Sequence, residues 1–186
     1  MSSALLTRSE AAQLSGASPV AVKKAIDQGV IPARSVRRKS FVEAEDVGLL
    51  ALLPMIGGAH LPLAQKRRLR SWLRSAAPAA ELELSPALVV RRVPQVVDAL
   101  ARAERYARLR EKWIVTDEER RAGGEPIIKG SRVSVYTIAG RIAAGDSEEV
   151  LEQDYPHIPP EAREVAAIYG AANPRRGRPR SVAQRG

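Results

Sequence analysis

The chain has 186 residues, of which 45% are hydrophobic and only 4% aromatic, and it carries a formal net charge of +9. This length accommodates one large domain or two small ones. The absence of cysteine excludes disulfides and cysteine-based zinc sites, and no apolar run is long enough to span a bilayer. Because the sequence also begins without a long apolar segment, we expect a soluble, cytoplasmic protein with no signal peptide.

Positive charge is concentrated near the two ends of the chain. Residues 1–42 hold seven basic and two acidic residues, and residues 173–186 hold five arginines and no acid. The segment between them is close to neutral, with 18 basic and 19 acidic residues. This distribution predicts two surfaces that contact polyanions or acidic partners, and charge that serves solubility alone is the alternative.

The first predicted elements are two short helices joined by a glycine turn. Thr7 and Glu10 have the spacing of a capping box at a helix start, and Gly16 ends that helix. Ser18 caps the next helix, which Gly29 ends in a left-handed conformation. Two short helices with a tight turn between them predict a helix-turn-helix whose second helix reads DNA.

Two short strands, at residues 31–36 and 40–42, and a helix from Glu43 to about Leu53 are predicted next. This order resembles the winged helix of excisionases and MerR-type regulators over about residues 5–53. The cations between the two strands would form a wing that contacts phosphates or a minor groove. A helical hairpin with a solvated basic loop is the alternative. The predicted DNA-contacting residues are Ser18, Lys23, Lys24, Gln28, Arg37, Arg38 and Lys39.

The middle of the chain begins with a predicted hinge at residues 54–58. Leu69, Trp72, Leu73 and Ala76 then follow the spacing of an amphipathic helix. Cations fill the other sides of this helix, where a solvated basic face is the expectation and DNA contact the alternative. They are Lys66, Arg67, Arg68, Arg70 and Arg74.

Two short strands at residues 81–84 and 88–90 precede the longest predicted helix, from Pro94 to about Lys112. The apolar face of this helix is broad and needs a partner in the core or in a second subunit. Helix-turn-helix proteins usually read paired half-sites, so we expect a homodimer.

The C-terminal half predicts a buried strand at residues 127–128 and a turn at Gly130. Three short helices follow, the first ended by Gly145, the second capped by Ser147 and the third begun at Pro160. This arrangement resembles a second helix-turn-helix, of homeodomain-like type. Its outward residues are acidic, which favours contact with protein over phosphate. They are Glu148, Glu149, Glu152, Asp154, Glu161 and Glu164.

The same half carries the longest motif of the chain. It begins with GEPIIKGSRVSVYTI at residues 124–138 and continues through AGDS at 144–147, DYP at 154–156 and AAIY at 166–169. This run resembles domain-of-unknown-function family 433, whose members are mostly described as VapB-type antitoxins, over about residues 113–173. The family's usual Gly-Thr-Arg has serine in its second position here, which keeps the hydroxyl. The resemblance implies an antitoxin whose partner is a PIN-like ribonuclease toxin.

The C-terminal tail has a composition that cannot form a core, so we expect residues 174–186 to be disordered in the free protein. An inhibitory arm that places arginine in the carboxylate-rich site of the toxin is one interpretation. The sequence RGRP at residues 176–179 also matches the core of an AT-hook, which binds a narrow minor groove. The third interpretation is a basic tail without a specific binding partner. The residues concerned are Arg175, Arg176, Arg178 and Arg180.

No residue pattern predicts catalysis. Of the two histidines, His60 stands close to a glycine pair and His157 lies between prolines. Neither belongs to a metal-ligand or catalytic-triad pattern. We therefore expect no enzymatic activity, no metal and no cofactor.

Together these patterns predict a mainly α fold with an N-terminal winged helix-turn-helix and a C-terminal three-helix homeodomain-like module with short β-strands. The expected segments are a DNA-binding domain (1–56), a helical linker and dimerisation region (57–112), an antitoxin-family domain (113–173) and the tail (174–186). The expected function is a type II antitoxin that neutralises a ribonuclease toxin and represses its own operon by binding operator DNA. A stand-alone winged-helix regulator or excisionase-like accessory factor is the alternative.

Overall fold

The computed structural model describes residues 4–36, 39–75, 81–116 and 125–175, without the side chains of Val36, Lys39 and Ala59. Within these residues the protein is mainly helical and has three small antiparallel sheets, which confirms the predicted mainly α class. None of the described helices is both long and apolar enough to cross a membrane.

The N-terminal elements surround a three-stranded sheet in the order β1-β3-β2. They are β1 (Leu5–Thr7), α1 (Arg8–Ser15), α2 (Pro19–Asp27), β2 (Arg34–Val36), β3 (Lys39–Glu43), a 3₁₀ turn (Ala44–Asp46) and α3 (Val47–Met55). The predicted caps are confirmed, because the Thr7–Glu10 capping box is complete and Ser18 caps α2. Gly16 and Gly29 both have positive φ, as expected for residues that end helices.

Several boundaries in this region differ from those predicted, and the two largest differences are at the starts of β2 and α3. Strand β2 begins at Arg34 rather than Ile31, because the amides of Val30 and Ile31 both donate to the Ala25 carbonyl at the end of α2. Helix α3 begins at Val47, after the 3₁₀ turn, and continues to Met55. Strand β1 was not predicted, since three residues are too few for a periodic pattern.

The central elements match their predicted order. They are α4 (Leu63–Leu73), β4 (Glu81–Ser85), β5 (Leu88–Arg91) and α5 (Pro94–Trp113), with a 3₁₀ turn (Gly58–His60) before α4. Strands β4 and β5 form an antiparallel hairpin. Much of the apolar face of α5 is buried within this chain, while Val97 remains 49% exposed. The chain itself therefore covers most of the surface that favoured a homodimer.

The C-terminal elements also match, with one addition. They are β6 (Ile114–Val115), β7 (Ile127–Ile128), α6 (Val135–Ala143), α7 (Glu148–Asp154) and α8 (Pro160–Ala172). The unpredicted strand β6 pairs with β7 in an antiparallel ladder. Ser131 closes the turn after β7, since its hydroxyl donates to the Ile128 carbonyl and accepts from the Val133 amide.

Buried side chains form two hydrophobic clusters. The larger cluster extends from Leu6 through Leu109 and also includes Val165 of α8. The smaller cluster joins β7, α6 and α8 and includes Ile128, Ile138 and Ala166. Trp113 packs against both clusters, so the C-terminal helices share apolar contacts with the N-terminal half.

Candidate nucleic-acid interface

Helix α2 presents one side to the core and the other to solvent. Its first turn is fixed by Ser18, whose hydroxyl oxygen accepts from the Ala21 amide at 3.1 Å, and by a proline at the first helical position. Val22 and Ala25 are buried against the rest of the N-terminal core. The opposite side carries Val20, which is 75% exposed although it is a large apolar residue. The first turn of α2 is therefore capped and leaves one large apolar side chain uncovered.

The predicted DNA-contacting residues of α2 differ in the contacts that their side chains already make within the chain. Lys23 forms an ion pair with Asp27 one turn away, at 2.5 Å. Lys24 is exposed in the last turn of the helix. Gln28 ends the helix, and its side-chain oxygen lies 3.5 Å from the Lys66 ammonium. Ser18 has a structural role at the cap, which leaves Lys24 as the cation with the least local engagement.

The predicted wing is only partly described. Strands β2 and β3 pair antiparallel, and the last register pair is Val36 with Lys39. Lys39 therefore opens β3, but its side chain is outside the description, and Arg37 and Arg38 lie outside the described residues altogether. Arg34, at the start of the hairpin, forms an ion pair with Glu43 at 2.9 Å.

Several of the cations on α4, which were predicted to form a solvated basic face, contact carboxylates or are buried instead. Arg70 donates to both carboxylate oxygens of the fully buried Asp46, at 2.6 and 3.1 Å. Arg74 contacts Asp46, Glu43 and Glu45 at 3.4, 2.8 and 2.6 Å. Burial opposes ionisation of Glu43, but the hydrogen bond and charge of Arg74 and those of Arg34 outweigh it, so its pKa lies below the ordinary value. These cations hold α4 against the turn before α3.

The acidic residues of the C-terminal helices are also largely paired within the chain. Glu148 pairs with Arg163, Glu161 with Lys112 and Glu164 with Arg105, at 2.6, 3.1 and 2.7 Å. Asp154 pairs with Arg141. Because internal cations neutralise four of the six predicted outward acids, charge alone gives weak support for a protein-binding face there.

The first residue of the predicted tail site is engaged by the C-terminal module. Arg175 forms an ion pair with Glu125, and its guanidinium carbon lies 5.8 Å from the centre of the Tyr136 ring. The remaining predicted tail residues, Arg176, Arg178 and Arg180, lie outside the described residues.

Two features of this region were missed by the sequence reasoning. The first is the exposure of Val20, which lies outside the apolar stripe of α2. The sequence did carry a signal for this exposure, because an apolar residue stands off the stripe and next to the helix cap. Lys66 was assigned to a solvated face, but it is buried beside Gln28. No local pattern could have indicated that burial, because Gln28 is 38 residues away in sequence.

Within the described residues, no group of three or more histidine, aspartate and glutamate side chains has an arrangement that could hold a metal ion. Helix α2 itself carries two lysines, the Asp27 carboxylate that pairs with Lys23, and the exposed apolar side chain of Val20.

Comparison with known proteins agrees with the C-terminal motif. Residues 114–169 match the family model described as "Protein of unknown function (DUF433)". The chain is 39% identical over 93 residues to "Uncharacterized protein y4eO" of Sinorhizobium fredii (strain NBRC 101917 / NGR234). That alignment covers 50% of this chain and 41% of the relative, so the chain spans less than half the length of the curated protein it matches. No solved structure matches significantly.

Proposed function

We propose that this protein is a DNA-binding antitoxin that represses its own operon and neutralises a partner ribonuclease. The observation that carries the DNA-binding part is the first turn of α2, which is capped by Ser18 and exposes Val20. A strand hairpin whose sequence is basic at residues 37–39 follows this helix along the chain. In this proposal, residues 1–56 act as a winged helix-turn-helix.

The proposed reading helix has both kinds of contact that sequence recognition requires. Lys24 would pair with a phosphate, and the N-terminal end of α2 would lie near another, since a helix N-terminus favours negative charge. Val20 would contact the methyl group of thymine, and Gln28 could pair with adenine in the major groove. The cations at residues 37–39 would contact the backbone beside the site.

The toxin-binding part rests on two weaker observations. The first is the DUF433 match at residues 114–169, together with the resemblance of this motif to VapB-type antitoxins. The second is the run of arginines at the C-terminal end, since a guanidinium fork matches the carboxylates of a metal-dependent ribonuclease site. A stand-alone winged-helix regulator without a toxin is the alternative, and the α2 geometry favours it equally.

Fluorescence anisotropy with the DNA upstream of the gene tests the DNA-binding part. Lys24→Ala should weaken binding and lower the slope of log affinity against log salt by about one unit. Val20→Ala should leave that slope unchanged but reduce the preference for thymine at one base position. Joint replacement of Arg37, Arg38 and Lys39 by alanine should lower the slope further.

The matched control is Lys129→Ala, which removes the same charge from an exposed position in the C-terminal half. It should leave affinity and slope within error of the parent protein. Equal effects of Lys24→Ala and Lys129→Ala would contradict the assignment of α2 as the reading helix.

Co-expression with the product of the adjacent gene tests the toxin part. Rescue of growth by this protein is expected, and deletion of residues 174–186 should abolish the rescue while operator binding persists. If that deletion removes DNA binding and leaves rescue intact, the tail acts as an AT-hook. An adjacent product that is not toxic would leave the stand-alone regulator as the function.

A further inference from the structure

A cavity of about 240 Å³ lies behind the reading helix, between α2, α3 and the start of α4. Much of its wall is hydrocarbon, contributed by Ala25, Val30, Leu50 and Leu53. The polar groups at the cavity are cations, an imidazole and an amide, and none of the described lining residues is acidic. An apolar cavity with a few convergent polar groups is the usual form of a small-molecule site.

Lys66 is the decisive residue of this cavity. It is only 7% exposed, and its single described hydrogen bond is to the Gln28 side-chain oxygen at 3.5 Å, the outer limit for such a bond. Among the described residues no carboxylate lies within 4.0 Å of its ammonium group, whereas Arg70 and Arg74 on the same helix face have carboxylate partners. A lysine side chain this deeply buried, with no described carboxylate beside its ammonium group, is costly, so this arrangement favours an anion supplied from outside the chain.

We propose that this cavity binds a small apolar carboxylate. Its carboxylate would pair with the Lys66 ammonium, and its hydrocarbon part would fill the space between α2 and α3. Lys24 and His60 at the same cavity add favourable charge and a hydrogen-bond donor. The volume of about 240 Å³ is below the roughly 300–1,000 Å³ of sites for drug-sized ligands, which restricts the ligand to a medium-chain fatty acid or a one-ring aromatic acid.

Occupation of the cavity would also affect α2, a consequence that rests on the proposed DNA-binding function. Lys24 and Gln28 both line the cavity and are both predicted DNA contacts. A bound carboxylate would compete for Lys24 and neutralise positive charge beside the DNA backbone. Ligand binding is therefore expected to weaken DNA binding.

Isothermal titration of the full chain with octanoate and with 4-methylbenzoate tests the site without DNA. At least one of the two carboxylates should bind with a Kd below about 1 mM, and its neutral amide should bind at least tenfold more weakly. Lys66→Met keeps the length of the side chain and removes its charge, so it should weaken carboxylate binding at least tenfold. Lys129→Met is the matched control and should bind as the parent protein does.

A second variant keeps the test decisive if Lys66→Met fails to fold, which circular dichroism would show. Ala21→Leu adds volume to the cavity from an exposed position on α2 and should also weaken binding at least tenfold. The proposal is overturned if neither carboxylate binds, if the amides bind equally well, or if the folded variants bind like the parent.

The effect on DNA is measured separately by adding the tighter carboxylate to the anisotropy assay. A fall in DNA affinity that Lys66→Met abolishes is the expected result. An unchanged DNA affinity would overturn the coupling while leaving the ligand site standing, and absence of DNA binding altogether would count against the proposed function alone.

Discussion

Glu10 joins three separate segments of the chain through one buried carboxylate. It is only 1% exposed, and its carboxylate accepts hydrogen bonds from the Thr7 amide at 2.7 Å and from the Tyr106 hydroxyl and Arg110 guanidinium at 2.6 Å. Arg110 also donates to the Leu5 carbonyl at 2.6 Å. A single carboxylate thus joins β1, α1 and α5.

Replacing Glu10 by alanine should destabilise the protein by about 3–5 kcal/mol, because Arg110 and Tyr106 would lose their partner in a largely buried position. Tyr106→Phe should cost less, about 1–3 kcal/mol, since it removes one donor to the carboxylate. Urea denaturation measures both. Glu104→Ala, at an exposed position of α5, is the control and should stay within about 0.5 kcal/mol of the parent. Equal stability of the two glutamate variants would refute this role for Glu10.

Only the local part of this network could be predicted from the sequence. Thr7 and Glu10 are three residues apart, so their capping box follows from spacing. Tyr106 and Arg110 are 96 and 100 residues from Glu10, and no periodic pattern links such distant positions. The same limit explains why the burial of Lys66 was not predicted.

Among the helices, α4 shows how tertiary contacts decide the role of a charged face. Its cations have the spacing of a solvated surface, but the carboxylates of Glu43, Glu45 and Asp46 lie opposite Arg70 and Arg74. Helical periodicity gives the direction in which side chains point and does not identify the element they meet. The presence of a helix at α4 was therefore predictable and its packing was not.

This ion-pair cluster predicts how stability depends on pH. The pKa of Glu43 is lowered in the folded protein, so the unfolded chain takes up its proton first as the pH falls below the ordinary value of 4.5. The stabilisation is complete above that value and is lost as the pH falls through the lower folded pKa. Glu43→Gln should cost on the order of 1 kcal/mol at pH 7 and show a shallower loss between pH 5 and pH 3. Urea midpoints measured across that range check this.

Glu83→Gln is the control for this titration because Glu83 is exposed on β4. It should retain the pH dependence of the parent protein. If the urea midpoint of Glu43→Gln fell with pH as steeply as that of the parent protein, carboxylates other than Glu43 would determine the acid sensitivity.

The packing of α6 against α8 depends on a close approach at Gly170. A Cβ atom at this position would lie 2.4 Å from the Cβ of Ala139, so the two helices would have to separate. Gly170→Ala should therefore destabilise the protein by about 1–3 kcal/mol. Gly140→Ala is a matched control in α6, where nothing lies within 4 Å of the added methyl group. This control should be neutral or stabilising by up to about 1 kcal/mol, because alanine favours the helix.

The order of elements across the whole molecule was largely predictable, because caps, glycines and apolar spacing are local signals. The distribution of the core was not. The larger hydrophobic cluster includes side chains from α1, α3, α4 and α5 and also Val165 of α8. Local sequence patterns predict separate segments along the chain. The buried side chains of the larger cluster, in contrast, come from segments that are far apart in sequence.

The shared cluster predicts that the described part of the chain unfolds as one unit. Trp72 lies in the larger cluster and Trp113 packs against both, so each variant with one tryptophan reports on a different part of the core. Fluorescence of Trp72→Phe and Trp113→Phe should each follow one urea transition that coincides with the loss of circular dichroism in the same variant. In Trp72→Phe the remaining indole lies at the junction with α8, and a separate transition there would mean that the C-terminal helices unfold independently. Coincidence would instead show that contacts such as Val165 with the larger cluster couple the N-terminal elements to the segment at residues 114–169 that matches the DUF433 model.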